Sequence, residues 1–88
     1  MDFIHSREYL NQGDVVVLNC DTQCNFRLID DSNFTAFQRG GRHTYYGGFF
    51  QRFPAKLVAP SPGNWNVVVD LGGARANIRY AINVSRRS

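Results

Sequence analysis

Hydrophobic and polar residues alternate with a period of two in several stretches of this chain, the pattern of strands with one face buried. Cys24 to Asp30, CNFRLID, places Cys24, Phe26 and Leu28 on one face and Asn25, Arg27 and Ile29 on the other. Trp65 to Leu71 and Ala74 to Val84 alternate in the same way on either side of Gly72-Gly73. Two glycines supply positive φ at both central positions of a type I′ turn. The hairpin this predicts sets Leu71 opposite Ala74, Asp70 opposite Arg75, Val69 opposite Ala76, Val67 opposite Ile78 and Trp65 opposite Tyr80. A slip of one residue would turn Asn and Arg into the core. Asp14 to Cys20, DVVVLNC, carries three consecutive valines, which favour the pleat over the helix. With only Asp21-Thr22-Gln23 between them, the runs 14–20 and 24–30 read as a second hairpin.

The remaining signals are shorter. Phe3-Ile4-His5 reads as a brief first strand, with Ser6 capping one helical turn through Glu8 and Tyr9. Gln12-Gly13-Asp14 is a turn. Ser32 is positioned to N-cap a helix of about seven residues that Gly40 ends at C′. Phe34 and Phe37, three apart, share one face of it. So short a helix must be pinned by its rings, and it is expected to plug one end of the β structure. A short strand is expected over His43–Tyr46, and Phe49 to Val58 reads as a strand interrupted at Pro54, the mark of an edge or bulge. Pro60 to Asn64 is a loop. No strand–helix–strand alternation is present, so the expected fold is mainly β. It is a single domain over residues 1–88: a small antiparallel β-barrel or sandwich of six to seven strands with one short helix. The expected core is Val15, Val17, Phe26, Leu28, Phe34, Phe37, Trp65, Val67, Val69, Ile78, Tyr80 and Ile82.

Composition narrows the class. Charged residues are 19% of the 88, below the usual ~25%, which argues against disorder. The net charge of +3 permits an anionic partner without requiring one. The basic residues are nine arginines to one lysine, Lys56, and arginine forks suit carboxylate and phosphate. Met1 is followed at once by Asp2 and by the charged run His5–Glu8, with no apolar leader. No stretch approaches the ~20 apolar residues of a membrane span. A cytoplasmic protein without membrane contact is expected.

Candidate chemistry concentrates in Asn33 to Pro54. This stretch holds seven of the twelve aromatic residues, two Gly-Gly pairs, Arg39, Arg42, Arg52 and His43, and no acid. The candidate ligand-binding set is Arg39, Gly40, Gly41, Arg42, His43, Tyr45, Tyr46, Gly47, Gly48 and Arg52. The arginines would hold an anionic group, the tyrosines would supply stacking area, and the glycines would permit close approach. Other chemistries find less support. Cys20 and Cys24 make a C-x3-C pair, too few for a structural zinc site, and His5 and His43 stand at no ligand spacing. The thiols read as small packed side chains, with a disulfide across the expected hairpin as the alternative. No phosphate loop, dinucleotide fingerprint or nucleophile elbow occurs. No catalytic residue, metal or cofactor is expected. The expected function is non-catalytic recognition of an anionic small molecule or a protein. The alternative is a single-stranded nucleic-acid-binding barrel, in which rings stack bases and arginines hold phosphates; an enzyme of unrecognised class comes third. An unpaired strand edge near Pro54 would suit pairing with a second copy.

Three stretches carry a resemblance to a family: FIHSREYLNQGDVVVLN at 3–19, DDSNFTAFQRGGRHTYYGGFFQRFPA at 30–55 and GNWNVVVDLGGARANIRYAINV at 63–84. Through them the chain resembles the small bacterial family known as domain of unknown function 1883, over essentially its whole length. The resemblance implies a small single-domain β protein and assigns no catalytic residues. Similar domains occur attached to TIR signalling domains in bacterial proteins, which implies a recognition or regulatory module.

Overall fold

The computed structural model describes residues 3–71 and 78–86. Seven strands and one helix follow in the order β1 (Ile4–Leu10), β2 (Val15–Cys20), β3 (Cys24–Asp30), α1 (Asp31–Gln38), β4 (Tyr46–Phe50), β5 (Ala55–Val58), β6 (Gly63–Asp70) and β7 (Tyr80–Ser85). One sheet has the order β1-β6-β3-β4 and the other β5-β2-β7. Every pairing is antiparallel. The sheets do not close on each other, so the architecture is a sandwich.

The strands alternate as the sequence pattern requires, but their partners are different. β2 pairs with β5 and β7, while β3 pairs with β4 and β6. The expected hairpin of 14–20 with 24–30 is therefore absent, and Asp21–Gln23 instead carries the chain from one sheet to the other. The same holds for β6 and β7. Trp65 lies opposite Glu8 and Asp30, and Tyr80 lies opposite Cys20. The expected partners Arg75, Ala74 and Ala76 and the turn Gly72-Gly73 fall outside the described residues. The physical reason is common to both cases. Each run has one apolar face, and that face is buried equally well against a facing sheet or beside its neighbour in sequence.

The core lies between the sheets. Phe26, Leu28, Trp65, Val67, Val69 and Cys24 of the first sheet meet Val16, Leu18, Ala55 and Leu57 of the second, with Leu10 and Ala59 beside them. Val15 and Val17 are half-exposed, because β2 turns Val16 and Leu18 inward. Tyr80 is 48% exposed and likewise leaves the expected core. β1 is a full seven-residue strand, not a short strand followed by a helical turn, because Ile4 to Leu10 pair without a break against β6. β4 begins at Tyr46, beyond most of the expected 43–46 strand.

The helix covers the outer face of the first sheet and does not plug an end. Its N-cap is Asp30 rather than Ser32: the Asp30 carboxylate accepts the Asn33 amide at 2.8 Å. Phe34 packs with Ile29 and Val68, joined by Phe3 and Phe37. His5 stacks on Phe34 at 4.3 Å between ring centroids. Beneath these rings Asn66 is fully buried and satisfied. Its Oδ1 accepts from His5 Nε2 at 2.7 Å, and its Nδ2 donates to the Ile29 carbonyl at 3.1 Å and to Asp31 Oδ1 at 2.9 Å. Asp31 in turn takes a two-pronged contact from Arg7, at 3.1 and 2.6 Å.

In β4, Gly47 sits tightly against its paired strand β3. A Cβ there would lie 2.2 Å from the Phe26 carbonyl oxygen and 3.0 Å from Leu57 Cδ1, and φ is +114°. Gly47→Ala is expected to cost about 2 kcal/mol or more, by strain and by forcing β4 off the Phe26 carbonyl of β3. At Gly48 a Cβ meets nothing within 4 Å. Urea denaturation of both alanine variants should show the larger loss at Gly47.

Hydrogen bonds from Arg7 and then Asn66 hold the Asp31 carboxyl down at about 2, from an ordinary 3.8. A depressed carboxyl contributes stability that is present above about pH 4 and lost as pH falls towards 2. The Asp31 side chain is about half exposed, so screening keeps the contribution small. Asp31→Asn should be less stable than the parent at neutral pH, and the difference should shrink between pH 4 and pH 2 in acid titrations followed by circular dichroism.

Candidate functional site

The segment between α1 and the end of β4 divides into three structurally distinct pieces. The first is the helix terminus. Gly40 sits at C′ with φ +74°, its amide bonded to the Phe37 carbonyl at 3.0 Å, while the Gly41 amide reaches the Ala36 carbonyl at 2.9 Å. This is a Schellman cap, so the Gly40-Gly41 pair has a structural role. Arg39 is the C-cap and is exposed.

The second piece is the lead-in to β4. His43 Nδ1 donates to the Gly41 carbonyl at 3.1 Å, and its ring meets Phe37 edge-on at 5.2 Å and Tyr45 at 5.5 Å. The Thr44 amide donates to Asn33 Oδ1 at 2.9 Å, tying the loop to the first turn of the helix. Asn33, Gly41, Arg42, His43 and Thr44 line a shallow recess of about 470 Å³. No acid lines it. Tyr45 covers the Arg27 guanidinium, 5.1 Å from ring centroid to Cζ. Arg27 donates to Asp70 at 2.8 Å, and Asn25 donates to the same carboxylate at 3.0 Å. His43 Nε2 and Arg27 Nε are buried and have no hydrogen-bond partner among the described residues.

The third piece is β4 itself with the turn after it. Tyr46 contacts Trp65 edge-on at 5.9 Å and remains 45% exposed. Gly47 and Gly48 belong to the strand, Gly47 in the packing role described above. Arg52 lies beyond the far end of β4, a strand length from Arg42, roughly 15 Å at ~3.3 Å per residue. The structure therefore brings Gly41, Arg42 and His43 together at one recess, with Arg39 and Tyr45 next to it. It sets Tyr46, Gly48 and Arg52 elsewhere. Asn33 and Thr44 were not among the sequence candidates. Asn33 reads from sequence only as a polar residue in the first turn of a helix, and its bond to Thr44 spans eleven positions.

The arginines also differ in what they touch. Among the described residues Arg7, Arg27 and Arg86 each form an ion pair, whereas Arg39, Arg42 and Arg52 form none. Arg86 reaches the fully buried Asp14 at 3.2 Å and the Tyr9 carbonyl at 2.6 Å, fastening the end of the described chain to the β1–β2 turn. The cysteines are free thiols. Cys20 ends β2 and Cys24 begins β3, in different sheets. Burial, with the Cys20 thiol as a neighbour, pushes the Cys24 thiol up to about 12, so it carries its proton at neutral pH. No group of three or more His, Cys, Asp or Glu is placed to hold a metal among the described residues. No described helix is long and apolar enough to cross a membrane.

Compared with family models, residues 1–88 match the one described as Domain of unknown function (DUF1883). No curated protein and no solved structure matches.

Proposed function

We propose, for a chain that belongs to the DUF1883 family along its whole length, that the domain is a non-catalytic recognition module taking an anionic group at the recess between the end of α1 and β4. The observation that carries this is the contrast in arginine pairing. Arg27 is turned to Asp70 and Arg7 to Asp31, while Arg42 lies on the recess and Arg39 beside it with no carboxylate in ion-pair reach among the described residues. A guanidinium left to solvent next to hydrogen-bonding side chains suits carboxylate or phosphate. Arg42 supplies the charge in this arrangement, Asn33 and Thr44 neutral polar contacts, and Tyr45 a ring face at the rim. Arg52 has no part in it.

The test is calorimetry with inorganic phosphate and with citrate at low salt, on the parent protein, Arg42→Ala and Arg52→Ala. Arg42→Ala should weaken binding about tenfold or more, the worth of a charged hydrogen bond, with little change in melting temperature; Arg52→Ala should leave it unaltered. Equal binding by the parent and Arg42→Ala would overturn the assignment, as would no binding to either anion up to about 10 mM. A single-stranded oligonucleotide titration separates the nucleic-acid alternative. That alternative requires affinity falling steeply with salt, with phosphate itself a poor competitor.

A further inference from the structure

The first sheet ends on β4, whose outer edge no described strand pairs. The ladder from β3 runs through it unbroken, from Leu28 opposite Tyr46 to Cys24 opposite Phe50. An unpaired edge is a template for another strand, and chains guard such edges with charge, proline or distortion. The four edge strands differ here. β1 carries His5, Arg7 and Glu8, β5 carries Lys56, and β7 is bracketed by Arg79 and Arg86. β4 is YGGFF, and residues 44–51 hold no charged side chain at all. Tyr46 is 45% exposed and Phe49 56%, with Val58 of the adjacent edge β5 at 55%. An apolar side of this kind lies uncovered at the end of the four-stranded sheet.

We propose that β4 pairs antiparallel with β4 of a second copy of this chain, extending the four-stranded sheet to eight across a two-fold axis at Gly48. The register is self-complementary. Centred on Gly48, it sets Phe49 of each copy opposite Gly47 of the other, so each ring lies over a bare glycine backbone on the outer face. Cross-strand aromatic cover of an edge glycine is a recognised stabilising pair. Tyr46 falls opposite Phe50. Arg52 falls opposite Thr44, so no arginine meets its own copy. Because the paired strip is neutral in both chains, no unpartnered charge is buried despite the net charge of +3 on each copy. The glycines and the two phenylalanines thus supply each other's missing partners, which an unrelated charged strand would not. The buried area is modest. Half-exposed aromatic side chains contribute roughly 100 Å² each, which puts the whole interface at the low end of specific contacts and makes the dimer weak and reversible. This pairing surface meets the anion recess only at its Thr44 end, and the pairing does not depend on that recess binding an anion.

Sedimentation velocity over a concentration series up to about 0.5 mM reads it directly. The parent should shift from monomer to dimer within that range. Phe49→Lys, at an exposed position, should weaken the dimer at least about tenfold with an unchanged circular dichroism spectrum. Tyr80→Lys, on the β7 edge, should leave self-association unaltered. A parent that stays monomeric throughout would overturn the proposal, as would a dimer indifferent to Phe49→Lys or one broken by Tyr80→Lys. Should Phe49→Lys fail to fold, amide exchange in the parent decides the matter. Residues 46–50 should exchange more slowly as concentration rises, and concentration-independent exchange there would rule the pairing out.

Discussion

Strand β6 is buried from Trp65 to Asp70 on both of its faces, and the rest of the domain is arranged to make that possible. A strand buried on two faces needs a layer on each side and a paired neighbour along each edge. β1 and β3 supply the edges. The second sheet covers Trp65, Val67 and Val69 on the inner face. On the outer face stand Asn66, Val68 and Asp70, two of which are polar. Val68 is covered by the rings of Phe34 and Phe37. Asn66 and Asp70 must find hydrogen bonds there or cost their full desolvation.

The outer face is partitioned accordingly. Over Asn66 the helix arrives with Asp31, and His5 and the Ile29 carbonyl complete its partners. One amide thereby ties together β1, β3, β6 and the first residue of α1. An eight-residue helix has little stability of its own; here its place is fixed by that polar anchor and by aromatic contact. Over Asp70 the described residues place no helix. From β3, Arg27 neutralises it and Asn25 donates a hydrogen bond to it, and Tyr45 lies over the guanidinium as a lid of one ring. The helix end, the recess beside Arg42 and the Tyr45 lid adjoin one another because the chain leaves the covered half of this face and returns along the uncovered half.

The aromatic and arginine-rich stretch owes its composition to several separate demands. Phe34 and Phe37 fix the helix, Gly40 and Gly41 terminate it, and Gly47 lets β4 lie close against the Phe26 carbonyl of β3. Tyr46 leans on Trp65 at the mouth of the core. Arg39, Arg42, Arg52 and Phe49 are the members whose charge or ring area the fold itself leaves uncommitted among the described residues. A cluster in sequence is thus spread over a helix cap, a loop and a strand edge, and only part of it converges on one spot.

What the sequence determined by itself was local. Alternation in 24–30 and 65–71 marked β3 and β6, the latter with its start displaced by two residues, because a period of two is a property of the backbone whatever the strand pairs with. Gly40 marked the helix end because only a residue free to adopt positive φ suits that position. Pro54 marked strand edges, and β4 and β5 on either side of it are both edges. The mainly β class followed from the same signals. Tertiary structure alone decided which strands are neighbours. Three-residue connections such as 21–23 serve a hairpin or a crossing between sheets equally well, and an apolar face does not specify which layer will bury it. For the same reason Val16 and Leu18 displaced Val15 and Val17 from the core: in a run of consecutive apolar residues, alternation gives no sign of which set faces inward. The anchor at Asn66 joins residues 35 and 61 positions away, and the bond from Asn33 to Thr44 holds the recess in shape. Contacts that far apart in the chain leave no periodic trace in one sequence, and they exist only once the sheets have met.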